Sequence, residues 1–442
     1  MPSLKTIFTS LFSVIFLSAS GVLADIKTAQ TYLKQMGYNA GTIDGLWGKK
    51  TEEALELFLR DQNQKWDGTF DQKEFQMIEK AILQTKPSKQ VTTAITLHDV
   101  GGWHEPIWRA GLYEPTIKRI SKVVNANTLS VVDTHFITKH AEGAYEIKYS
   151  PDNRDWTPTN DQWQSIGEVA DANNLNVQML IMIYNVVGIN QYKIEDDADR
   201  TNNKKFWDSY FSQYSELVSR RAIAAEKAGV DSIILGYNST ASLAQNPKYW
   251  LNLIQAIRSA GFSGELGLYT ELKELQVQNH FSGITDAIYR NNKTDVKKII
   301  REFDFIVFSV QNTDKHKLSK ALRSYKEYGK KIQIMVITPS VEDGNSSGEY
   351  IEPAMGHNNE TNSLAPFRNL SFETQIESYK SVIDIVNDQN FNFVTGINSW
   401  GYHFRDDLFH ALVKGDSDYQ KSANVRGKPA EDLLSQWYEH WR

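Results

Sequence analysis

From residue 93 to residue 442 the chain repeats one pattern: a short, β-branched apolar run, then a longer amphipathic stretch, then another apolar run. The runs fall at 94–97, 128–132, 177–184, 232–236, 265–268, 305–310, 332–337 and 394–398. Between them, apolar residues recur at helical spacing, as in Trp163, Ile166 and Val169, or Trp250, Ile254 and Ile257. A three-to-four residue period marks one face of a helix, whereas a short continuous apolar run fits a strand buried on both faces. Eight such strand–helix units predict an α/β fold, a (β/α)8 barrel over 93–442. A doubly wound open sheet shares the alternation, but no glycine-rich phosphate loop follows any of the runs.

The amino terminus is a separate unit. Lys5 precedes a largely apolar, uncharged stretch over 7–23, which closes on Ala24 before Asp25. This predicts a secretory signal peptide over 1–24, cleaved after Ala24, and an exported or periplasmic mature chain. A retained anchor is the alternative, but the stretch is short and broken by serines. No later run is apolar enough to span a membrane. The chain has no cysteine, which excludes disulfides, a thiol nucleophile and a thiolate metal site, and fits a bacterial exterior. A net charge of −6 with no basic stripe gives no nucleic-acid signature.

Residues 25–84 read as a small all-α domain of three helices. Ile26, Ala29, Leu33 and Met36 form one stripe, and Gly37 stands where a helix ends in a left-handed residue. Asp44-Gly45-Leu46-Trp47-Gly48 is a turn whose glycines permit positive φ, with Trp47 as core plug or contact. Thr51 is expected as an N-cap ahead of Ala54, Leu57 and Phe58, and Phe75, Ile78 and Ile82 carry a third helix. Gln30-x-x-Leu33, Gly37-Tyr38, Asp44-Gly45-x-Trp47-Gly48-x-x-Thr51 and Asp67-Gly68 together resemble the peptidoglycan-binding-like module. That resemblance implies an accessory domain directed at wall polymer, with Asp44, Trp47 and Thr51 as its marked residues; a plain structural spacer is the other reading. A polar linker over 85–92 joins it to the barrel.

In a (β/α)8 barrel the chemistry sits at the carboxyl ends of the strands. There the sequence places His98, Asp99, Trp103 and His104 after the first run, and Asp133 and His135 after the second. Tyr184, then Tyr237 and Asn238, follow the third and fourth; Glu271 follows the fifth, and Glu342-Asp343 the seventh. Trp400, Tyr402 and Arg405 close the ring. Aromatic faces mixed with amides and carboxylates suit a saccharide cleft. Trp103, His135, Trp156, Tyr184, Tyr237, Asn238, Trp400, Tyr402 and Arg405 are therefore expected along a sugar path.

Trp156-Thr157-Pro158-Thr159 with Trp163, the helix and strand over 207–236, Asn398-Ser399-Trp400-Gly401 and Gly427-Lys428-Pro429-Ala430 resemble the mannanase-like glycoside hydrolases of the large retaining clan. The resemblance implies glycoside hydrolysis without a cofactor, carried by a glutamate at the end of strand four and another at the end of strand seven. Here those places hold Gly236-Tyr237-Asn238 and Ile337-Thr338-Pro339. An amide cannot deliver a proton, and threonine is a poor nucleophile without a base beside it. If the barrel hydrolyses glycans, other carboxylates must serve: Glu271 as acid, with Asp133 or Asp99 as partner. A non-catalytic barrel that binds polysaccharide or peptidoglycan is the second reading. A third is zinc-dependent deacetylation, with His98, Asp99, His104, His135 and His140 as the ligand pool, although their spacing matches no firm metal signature.

Overall fold

A computed structural model of the chain describes residues 25–82, 90–97, 113–139, 145–148, 157–185, 204–237, 247–271, 293–310, 314–342, 369–402 and 421–441. Of 136–139, 145–148, 184–185, 204–206, 237, 271 and 293–296 it describes the backbone alone. The chain divides into two compact units, Met1–Thr85 and Lys86–Arg442.

The first unit packs α1 (Ile26–Gln35), α2 (Lys49–Asp61) and α3 (Gln72–Ile82) around Leu33, Leu55, Phe58 and Ile78. Gly37 ends the first helix at φ 95°, and the Tyr38 N–H reaches back to the Leu33 carbonyl. Two expectations are corrected here. Helix α2 begins at Lys49 behind Gly48, so Thr51 lies inside the helix and does not cap it. Its hydroxyl turns inward instead, donating to the Ala40 carbonyl at 3.2 Å and accepting from Gln30 Nε2 at 3.0 Å. Leu57 is 41 % exposed, and Leu55 and Leu59 take the core positions.

The second unit is a closed barrel of eight parallel strands. They are β1 (Thr92–Leu97), β2 (Thr128–Lys139), β4 (Asn176–Asn185), β5 (Ser232–Tyr237), β6 (Glu265–Glu271), β7 (Phe305–Val310), β8 (Lys331–Val336) and β9 (Val394–Trp400). β1 pairs with both β2 and β9, and that double pairing shuts the ring. Around it run α4 (Tyr113–Lys122), α5 (Asn160–Asp171), α6 (Lys204–Lys227), α7 (Pro247–Ser259), α8 (Lys293–Glu302), α9 (Lys315–Tyr325), α10 (Phe372–Asn387) and α11 (Pro429–Trp441). One element has no counterpart in the predicted pattern. β2 runs past the barrel and folds back on β3 (Tyr145–Lys148), an antiparallel partner for its last four residues.

Val132, Leu180, Met182, Ile234, Tyr269, Val307, Met335, Ile337 and Trp400 meet as one buried cluster contributed by seven strands or their ends. These residues line the lumen. Because side chains alternate along a strand, their immediate neighbours face the helices. Helix α5 comes unusually close to the turn after α6, where a Cβ on Gly167 would lie 1.9 Å from the Ala228 carbonyl oxygen. Only glycine admits that approach.

Candidate functional site

Asp99, Trp103, Trp156, Asn238 and Arg405 lie outside the described residues, as do His98, His104 and His140. Glu271 is the last residue of β6, paired in register with Ser309 and two positions beyond the lumen-lining Tyr269. Tyr184 and Tyr237 stand at the carboxyl ends of β4 and β5.

Asp133 follows lumen-lining Val132 and so faces the helix layer. It is fully buried and both its oxygens are engaged. Arg221 of α6 donates Nε to Oδ2 at 2.8 Å and NH2 to Oδ1; the indole of Trp163 on α5 donates to Oδ1 at 3.2 Å. His135 Nε2 lies 2.7 Å from Oδ2. Burial alone would push this carboxyl up, but the Arg221 charge, His135 and their hydrogen bonds outweigh it and hold it well below the usual range. Arg221 also donates to the Pro158 carbonyl at 2.9 Å and to Asn160 Oδ1 at 3.1 Å. The whole cluster ties β2 to α5, α6 and the Thr157-Pro158 turn. Sequence reading placed Asp133 and His135 at the mouth and missed Arg221. The available signal was an arginine within the apolar stripe of Tyr214, Val218, Ala222 and Ala225.

Trp400 is 4 % exposed and belongs to the lumen cluster. Tyr402, just beyond β9, is buried, with its hydroxyl donating to Glu431 Oε1 and accepting from Arg119 Nε at 2.9 Å. Arg426 lies over its ring, 5.4 Å from the centroid. Burial, then the Glu431 charge, pushes this phenol far up, so it acts as a fixed hydroxyl and not as a proton source.

At the end of β8, Ile337 joins the core and the Thr338 hydroxyl bonds Ser378 Oγ at 2.7 Å. Lys428 is buried beside it, donating to Ser340 Oγ at 3.1 Å and to the Ser422 carbonyl at 2.7 Å. Burial drives its amine well below the ordinary lysine value. Glu342, exposed, accepts from Asn369 Nδ2 at 2.8 Å. A polar pocket of about 410 Å³ lies at the other end of the strands, lined by Asp231, Arg258, Glu265 and Asp304 among others. Its groups cap backbone N–H and carbonyl groups: Asp231 accepts from Val177 N, and Arg258 donates to the Gly264 carbonyl. That is the stability face of such a barrel. Among the described residues, no group of three or more His, Cys, Asp or Glu stands where it could hold a metal ion.

In the helical unit, Gln30 organises the marked turn. Its amide donates to Asp44 Oδ1, the Leu46 carbonyl and Thr51 Oγ1, and accepts from the N–H groups of Asp44 and Gly45. Asp44 is held below the ordinary carboxylate value by the Leu46 N–H and then by Gln30. Trp47 is 36 % exposed and stacks on Trp66 at 6.0 Å and on Phe70 at 4.9 Å, so it is a surface ring within an aromatic cluster.

Residues 23–78 match the family described as "Putative peptidoglycan binding domain". The amino-terminal unit carries a domain of that family. The barrel is similar in shape to a GH113 β-1,4-mannanase, at 15 % identity and TM-score 0.57, over 79 % of this chain and 99 % of that one. A GH113 β-mannanase from Alicyclobacillus acidocaldarius gives 15 % identity and TM-score 0.58, over 80 % and 98 %. At that identity the likeness establishes the fold. No curated protein matches this chain in sequence. Among the described residues, no helix is long and apolar enough to cross a membrane.

Proposed function

We propose that this is an exported, wall-directed carbohydrate-active protein whose barrel hydrolyses glycosidic bonds in a bacterial cell-wall or extracellular polysaccharide. The observation that carries the reading is the joining, in one chain, of a peptidoglycan-binding-type domain to a (β/α)8 barrel shaped like the GH113 mannanases. A leader over 1–24 would deliver it outside the membrane.

Glu271 is our proton donor. It closes β6 at the carboxyl end, the end of the strands where such barrels keep their chemistry. Glycoside cleavage needs one carboxyl with a raised pKa to donate a proton and a second, ionised, to attack the sugar or activate water. We assign the second role to Asp99. Asp133, consumed by Arg221, becomes a positioning group that holds β2 against the helices. Trp103, Trp156, Tyr184 and Tyr237 are our sugar-stacking rings, each worth about 1 kcal/mol; Trp400, buried in the lumen cluster, leaves that set.

One observation favours a non-catalytic glycan-binding barrel instead: residues 337–340 after β8 carry no carboxylate, and Thr338 is committed to Ser378. Reducing-end release from purified peptidoglycan, β-mannan and other envelope polysaccharides separates the two. Wild-type protein should release product from at least one polymer, and Glu271→Gln and Asp99→Asn should each lower the rate by two or more orders of magnitude. Undiminished hydrolysis by both variants refutes the assignment. Binding without any release makes the barrel a recognition domain.

A further inference from the structure

The lumen of this barrel carries a polar row where such interiors are dominated by branched apolar residues. Ser130 on β2, Gln178 on β4 and Ser232 on β5 stand side by side in the parallel register, and all are buried. Each lies two residues before a lumen-lining side chain, Val132, Leu180 and Ile234 respectively, so strand alternation turns all three inward. Gln333 of β8 comes from across the ring, and Gln178 Nε2 donates to its Oε1 at 3.3 Å. Gly396 on β9 leaves room for that reach, since a Cβ there would lie 3.0 Å from Gln333 Cγ. On the same strand Asn398, fully buried two residues before Trp400, accepts from Thr96 Oγ1 at 2.6 Å.

Among the described residues, four atoms of this set have no hydrogen-bond partner: Ser130 Oγ, Ser232 Oγ, Gln178 Oε1 and Asn398 Nδ2. Buried polar groups in folded proteins are almost always satisfied, so four around one lumen call for a ligand. The chemistry of the four defines it. Two hydroxyls can give or accept, the glutamine oxygen accepts and the asparagine amide donates. None is charged, which disfavours an ion, and the surroundings are too polar for an apolar guest. Adjacent strands are about 4.8 Å apart, so one small molecule can bridge Ser130 to Gln178 or Gln178 to Ser232.

We propose that the barrel lumen is a binding site for ordered water, held by Ser130, Gln178, Ser232 and Asn398. The water links β2, β4, β5 and β9 through their inner faces and completes the support beneath Trp400.

High-resolution diffraction from the full chain tests this directly, and water ¹⁷O relaxation dispersion tests it in solution. The expected result is at least one ordered water within about 2.7–3.2 Å of two or more of the four atoms. In Ser130→Ala/Ser232→Ala the dispersion step should fall by the equivalent of about one or two long-lived waters. A lumen without ordered water, or the four atoms bonded to protein groups, overturns the proposal. So does an unchanged dispersion step in a variant whose circular dichroism matches wild type. If that variant does not fold, diffraction from the wild-type chain decides.

Discussion

Replacing Arg221 with methionine keeps much of the side-chain volume and removes the charge that Asp133 depends on. The carboxylate would then be wholly buried, with His135 and Trp163 as its remaining partners. Removing one member of a buried ion pair costs about 3–5 kcal/mol, because the other charge is left without compensation. Unfolding entropy near 60 °C is about 2.1 cal/mol/K per residue, so for a unit spanning 86–442 it is on the order of 0.75 kcal/mol/K. The loss therefore lowers Tm by about 4–7 °C. Scanning calorimetry on the full chain measures it. The pH dependence carries a second signature. In wild type the Asp133 carboxyl sits below its unfolded value, so its contribution is present above about pH 4 and fades as pH falls toward the folded value. In Arg221→Met, burial dominates and raises that pKa, so protonation relieves the strain. The gap between the two proteins should narrow on acidification from pH 7 toward 4. Arg221→Met/Asp133→Leu, with both charges gone, should recover much of the loss. A single variant within 1 °C of wild type, or a gap that does not change with pH, refutes the reasoning.

Lys428→Met tests a second buried titratable group. A lysine whose folded pKa is lowered binds fewer protons than its unfolded form, so wild-type stability gains on the variant as pH rises from 6 to 9 in urea unfolding; a constant difference refutes this. Gly167→Ala should destabilise by about 1–3 kcal/mol despite alanine's better helix propensity, since the Ala228 carbonyl already fills the Cβ position; a raised Tm would contradict it. Trp47→Ala should weaken co-sedimentation with purified peptidoglycan at least several-fold while helical circular dichroism persists, and unchanged binding would remove Trp47 from the contact surface.

The barrel was legible because its strands and helices announce themselves locally. Eight apolar runs lie within strands of the closed sheet or at their ends, and the (β/α)8 expectation holds. The β2–β3 extension was not legible, because 133–139 mixes polar and apolar residues without a clean period. The module's turn was readable from its glycines. The role of Thr51 was not, since the helix starts two residues earlier and Gln30, twenty-one positions away, claims the hydroxyl.

Sequence by itself determined the alternation of the eight barrel strands with helices, the helical module ahead of them, and the residue types available at the strand ends. It could not determine which way Asp133 faces. Strands buried on both sides read as unbroken apolar runs, so in Val131-Val132-Asp133 nothing local distinguishes lumen from helix layer. Closure of the sheet made that choice: Val132 went to the lumen, and Asp133 met Arg221, 88 residues away. Contacts across such separations exist only once the ring has closed.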